Sequence, residues 1–293
     1  MYGFIVLFLL TIWPVEAQFG GTFAFRQGEL GTPLLLDNHT GAAAAYSLRQ
    51  LDKDYTGPAI RVRRNSDNAE QDIGFADNVL NESALLAFAG AGDAFVKIWY
   101  DQSGNGNDLR QISYGSQPQI VNSGNLIQQN TLPTIPFDGT NDNLDNTNFS
   151  LSGSFSLFIV STFDPEISFN PLIDAINASA QRILFGRGGN GANNAIQFFD
   201  GANVAGSVVE DTSFALRAGI RDSSNNLEIF RNGTTYASGS GGGNDMSSLR
   251  VGGDEDLSSH TEANISEIIF FSNDKSTSRT EIENDINNFY SVY

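Results

Sequence analysis

The chain has 293 residues, 40% of them hydrophobic and 17% charged, which is enough apolar material for a sizeable core and too little charge for a disordered chain. A net charge of -18 repels phosphate backbones and excludes nucleic acid as a partner. With no cysteine there is no disulfide, no thiol catalysis and no cysteine-type zinc site, and two histidines are too few for a His-rich metal centre.

The first 17 residues read as a separate piece. Phe4 to Trp13 is an unbroken apolar run of signal-peptide length, and Val15-Glu16-Ala17 offers a small residue where a signal peptidase cuts. A cleaved leader is expected, with a retained hydrophobic tail as the alternative. Residues 18–293 then read as one unit, an all-β sandwich of short strands with Gly-rich and Asn-rich connections.

In chain order, the Ala run of Gly41 to Asp52 predicts a short helix that Gly57-Pro58 would end. Ala59 to Arg64 alternates apolar and basic residues and predicts a half-exposed strand. Its Arg61, Arg63 and Arg64 are expected to pair with the acids between Asp67 and Asp72. Ala84 to Gly92 predicts a second helical turn, and Ala94 to Tyr100 a strand. Ser154 to Phe163 is apolar enough for a central strand. Asn232-Gly233 lies between two alternating runs and predicts a tight hairpin, because both residues tolerate positive φ. From Ser278 the apolar residues Ile282, Ile286, Phe289 and Tyr293 recur at helical spacing, and Ser278 with Glu281 spells a capping box.

The stretch Lys97 to Gln111, KIWYDQSGNGNDLRQ, holds the densest set of candidate binding residues. Strand alternation turns one of Trp99 and Tyr100 inward and leaves the other free to stack on a sugar face. Asp101 to Asp108 has the oxygen donors and glycines of a calcium loop but not the acidic residue that would close it. It is therefore read as scaffold, with Asp101 accepting backbone or arginine hydrogen bonds and Ca2+ as the alternative occupant.

Two resemblances bear on function. The pieces FDGTNDNL, SFSLFIVST, LEIFRNGTTYASG, LRVGGD and ISEIIFFS, followed by the terminal helix, resemble a laminin-G-like, concanavalin-A-type jelly roll over 132–293. AAAAYSLRQLDKDYTGPAIRVRRNSDNAEQDIGF and WYDQSGNGNDL, within 22–131, resemble the catalytic domain of arabinofuranosidase B, a part that bacterial surface and phage structural proteins also carry. The second resemblance implies Asp254, in VGGDED, as catalytic acid/base. The family's nucleophilic Glu falls in a loop that here reads LFGRGGNGANN and has no carboxylate. Double displacement needs two carboxyl groups. The expectation is therefore a non-catalytic glycan-binding or structural protein, such as a phage spike, fibre or decoration protein or a bacterial adhesin. The alternative is a secreted arabinofuranosidase-like hydrolase. Ligand contacts are expected from Trp99, Tyr100, Asp101, Asn190, Asn193 and Asp254, with no cofactor, a glycan or cell-surface polysaccharide as partner, and a homo-oligomer or larger assembly on a virion surface or otherwise outside the cell.

Overall fold

Two sheets face each other, and one of them is covered on its far side by the C-terminal helix. The computed structural model describes residues 33–164, 169–177, 181–188, 194–207 and 212–293. The first sheet runs Ala42–Ser47, Glu262–Phe271, Phe155–Ser161, Ala215–Arg221, Asn226–Arg231, Thr234–Ser240, with Ile135–Asp138 also pairing to Glu262–Phe271. The second has Asn170–Asp174, Leu249–Val251, Leu144–Asn146, Leu109–Arg110, Ala94–Trp99, Ile60–Arg64 and Glu70–Ile73 as consecutive neighbours. The fold is all-β, as the composition implied.

Two apolar clusters hold these layers. Tyr46, Trp99, Leu144, Phe185 and Phe270 belong to the cluster between the sheets. Ala45, Phe158, Ile269, Ile282, Ile286 and Tyr290 belong to the cluster between the first sheet and the helix Arg279–Tyr290. The first sheet is thus buried on both faces, which is why Phe155–Ser161 and Ala215–Arg221 are buried at every position rather than alternately.

The Ala run is a strand, Ala42–Ser47, and not the helix its propensity predicts. It pairs with the long strand in the register Ala44↔Phe270, Ala45↔Ile269 and Tyr46↔Ile268. Ala44 faces one cluster and Ala45 the other, so small side chains suit both faces of a strand squeezed between layers. Tertiary packing overrides the local preference here. The short N-terminal helix exists, but at Leu35–Asn38.

Elsewhere the expected elements form. Strands occupy Ile60–Arg64 and Ala94–Trp99, and a helix occupies Glu82–Ala89 with Asn81 Oδ1 accepting from the Ala84 N–H at 3.0 Å. Asn232 (φ 48) and Gly233 (φ 76) make the expected hairpin turn. The C-terminal helix begins after Ser278, but the Ser278 side chain makes no capping bond. The helix is held instead by a buried network. Arg49 Nε donates to Glu267 Oε2 at 2.8 Å and Arg49 Nη1 to Asp285 Oδ1 at 2.8 Å, while the Tyr290 hydroxyl donates to Glu267 Oε2 at 3.2 Å.

Candidate functional site

The side chains of the second sheet that point away from the core form a row of alternating charge. Register sets Asp174 opposite Arg250, Arg250 opposite Asp145, and Asp145 opposite Arg110. Their neighbours Ile173, Val251, Leu144 and Leu109 point the other way, into the inter-sheet core. Arg250 grips Asp145 with two bonds, Nε to Oδ1 at 2.9 Å and Nη2 to Oδ2 at 2.8 Å. Its Nη1 donates to the carbonyls of Asp254 and Glu255 at 3.0 and 2.9 Å. The strand Leu249–Val251 therefore carries, on one arginine, the loop that follows it.

That loop, Gly252 to His260, gathers the carboxyl groups. Gly252 has φ +95, and a Cβ there would lie 2.3 Å from the Phe137 ring, so only glycine lets the loop leave the strand at this angle. Asp254 Oδ1 accepts from the Ser259 N–H at 3.0 Å and Oδ2 from the Ser258 hydroxyl at 2.8 Å. Glu255 Oε1 accepts from Arg182 Nη1 at 2.7 Å, and the same guanidinium pairs through Nη2 with Asp174. Asp174 is fully buried, and burial pushes its carboxyl up to about 7 against the pull of Arg182. Two buried atoms in this loop have no hydrogen-bond partner, Glu255 Oε2 and His260 Nδ1. A buried polar atom left without a partner costs stability, so both are strained points of this loop.

An open acidic cleft of about 500 Å³ adjoins the loop. Asp138, Asp164 and Glu262 line it, and Glu262 is raised by burial and by Asp164 and Asp138 beside it. Thr261, between the loop and Glu262, donates its N–H to Gly252 O and accepts at its carbonyl from the N–H of Gly139, the residue after Asp138, both at 2.9 Å.

The stretch around Asp101 does different work. Asp101 Oδ1 accepts from the N–H of Ala45 (2.9 Å) and of Ser103 (2.8 Å), and Oδ2 from the Asn107 N–H (2.9 Å). Asn105 and Asn107 side chains donate to the carbonyls of Ala42 and Ala43, and Gln102 donates to those of Ser47 and Arg49. Ala42–Ser47 is the outer strand of its sheet, and this loop satisfies its free edge. Asp101 is spent on the scaffold by backbone donors; its bonds come from main chain and Ser103, not from the arginines. Two of those arginines pair as the sequence suggested, Arg61 with Asp72 and Arg64 with Asp67, whereas Arg63 turns to Gln117 and Asn68 instead of an acid.

Of the sequence-predicted ligand residues, Trp99 is corrected. It is fully buried against Tyr46, ring centroids 5.9 Å apart, and offers no surface to a sugar. Tyr100 turns outward as alternation requires, and its hydroxyl donates to Asp72 Oδ1 at 2.8 Å. Asp254 lies in the carboxyl loop. Asn190 and Asn193 lie outside the described residues. Among the described residues one trio of carboxyls, Asp37, Asp52 and Asp54, is close enough to share a cation, but Lys53 Nζ already bonds Asp37 and Asp54. Sequence reasoning missed Glu255, Asp174 and Arg182. The one available signal was Glu255 standing next to Asp254.

Residues 35–134, about a third of the chain, match the catalytic domain of α-L-arabinofuranosidase B. The chain is 41% identical over 91 residues to an arabinofuranosidase/β-xylosidase of Trichoderma koningii, a match covering 30% of this chain and 18% of that protein. It is 40% identical over 92 residues to a probable α-L-arabinofuranosidase B of Aspergillus fumigatus, again 18% of that protein. The match thus spans less than a fifth of those relatives' length. The fold matches an arabinofuranosidase complexed with arabinofuranosyl-α-1,2-xylobiose at a TM-score of 0.67 and 18% identity, over 86% of this chain and 63% of that one. A family 54 α-L-arabinofuranosidase soaked with a cyclic sulfate inhibitor matches at 0.65 and 19%, with the same coverage. These matches overturn the expectation of a non-catalytic surface or virion protein, since what the chain resembles in sequence is the catalytic part of glycosidases.

Proposed function

We propose that the chain is an arabinofuranosidase-like glycoside hydrolase, with the loop Gly252 to His260 as its active site. The observation that carries the reading is the 41% identity over 91 residues to an arabinofuranosidase. Its substrate is a glycan bearing arabinofuranosyl groups, and because such polymers do not cross membranes the reaction belongs outside the cell.

A retaining mechanism needs two carboxyl groups about 5–5.5 Å apart. Asp254 is assigned as acid/base, the role the family resemblance implies. Glu255, the next residue, is assigned as nucleophile; Arg182 fixes its Oε1, and its Oε2 is buried in the free chain, so attack requires the loop to shift and admit the sugar. Glu255 attacks the anomeric carbon as Asp254 gives its proton to the departing glycosidic oxygen. Asp254 then takes a proton from water, whose oxygen displaces Glu255 and frees the sugar. This replaces the nucleophile that the loop LFGRGGNGANN does not supply.

Release of 4-nitrophenol from 4-nitrophenyl α-L-arabinofuranoside tests the assignment. The wild type is expected to turn over, and Asp254→Asn and Glu255→Gln each to lose at least about a hundredfold in kcat/KM. Full activity in both variants, or none in the wild type, contradicts it.

A further inference from the structure

Among the described residues, the large hydrophobic side chains most open to solvent are Ile112 (80%), Tyr114 (51%) and Tyr293 (49%). Two of the three stand two positions apart, in the turn between Leu109–Arg110 and the strand Gln119–Asn122. The Tyr114 ring is held in place. The Arg63 guanidinium lies 4.5 Å from its centroid and 4.9 Å from that of Phe95, so one arginine packs against both rings. Arg63 is itself buried and anchored, donating to Gln117 Oε1 at 2.7 Å and Asn68 Oδ1 at 2.9 Å. A tyrosine backed by a fixed guanidinium presents a rigid aromatic surface without the ordering cost of a free side chain.

Its position relates it to the carboxyl loop. Gln117 Nε2 donates to the Gln111 carbonyl, Gln111 Nε2 to Asn143 Oδ1, and Asn143 Nδ2 to Asp145 Oδ1, at 2.8, 2.8 and 2.9 Å. Asp145 is the partner of Arg250, which carries the carbonyls of Asp254 and Glu255. An unbroken hydrogen-bonded path thus crosses the outer face from the aromatic surface to the proposed active site.

We propose that Tyr114, flanked by Ile112, is a stacking platform for the backbone of a neutral polysaccharide, a subsite remote from the scissile bond. A sugar ring's C–H face covers one aromatic ring, whereas two exposed side chains are far short of the roughly 1,000 Å² a protein partner needs. The net charge of -18 selects uncharged chains over acidic ones. That the chain bears arabinofuranosyl groups rests on the hydrolase reading; the platform does not.

Binding is measured rather than turnover, by affinity electrophoresis in gels containing soluble arabinoxylan, with the full chain carrying Glu255→Gln so that the polymer survives. Tyr114→Ala in that background is expected to weaken retardation about tenfold, the effect of losing one ring stack. Tyr114→Trp is expected to preserve it, which separates stacking from misfolding. Equal retardation of the Ala variant and its parent, or no retardation of the parent, overturns the platform. A wild type that fails to cleave the aryl arabinofuranoside while Tyr114 still governs retardation sinks the hydrolase reading alone.

Discussion

Asp142 shows how a single carboxyl can set the pH response of this fold. It sits in the turn before Leu144–Asn146, only 7% exposed, and burial with Asp138 beside it raises it to about 7. Unfolded, an Asp titrates near 3.9. Between about 4 and 7 the folded chain therefore holds a proton that the unfolded chain has lost, so stability falls as pH rises through that window. Asp174, raised by burial in the same direction, adds to the trend. The melting temperature of the wild type is expected to drop between pH 5 and pH 8, and Asp142→Asn to flatten the drop. A melting temperature that rises over that range contradicts the assignment. These residues were not legible in the sequence, because nothing in DGTNDN distinguishes a buried Asp from an exposed one. Desolvation depends on what the chain brings over the turn, here the Phe137 side and the Gly252 loop.

Two elements depend on dense polar bonding. The loop after Ala94–Trp99 satisfies the outer edge of Ala42–Ser47 largely through side chains, with Asp101 at its centre. Asp101→Ala would leave the N–H groups of Ala45, Ser103 and Asn107 without their acceptor, and the denaturant midpoint is expected to report a loss of about 2–4 kcal/mol. A change within 0.5 kcal/mol would mean that water replaces these bonds. The C-terminal helix depends on Arg49 in the same way, since Glu267 is fully buried and Arg49 is its counter-ion. Arg49→Ala strands that charge and is expected to cost about 3–5 kcal/mol, measured by urea unfolding. The helix itself was legible from the spacing of Ile282 and Ile286, and the hairpin from Asn232-Gly233. The Ala-rich strand was not, because its β character comes from the long strand beside it and the layers on either face.

At the scale of the whole chain, the part most like the arabinofuranosidases and the proposed active site are different stretches of sequence. Residues 35–134 supply the laced edge and the strands Ile60–Arg64, Ala94–Trp99 and Leu109–Arg110, whereas Asp174, Arg182, Asp254 and Glu255 come later. The second sheet joins them, since Leu144–Asn146 pairs with Leu109–Arg110 on one side and Leu249–Val251 on the other. The sequence shows Asp254 and Glu255 side by side, but only the fold brings Asp174, from a distant strand, to the guanidinium of Arg182 that also holds Glu255. Intact-mass analysis and peptide mapping after incubation with an arabinofuranose-configured cyclic sulfate test this arrangement most directly. The account predicts a single covalent adduct on the peptide containing Glu255, absent in Glu255→Gln. No adduct, or one that persists in that variant, would contradict it.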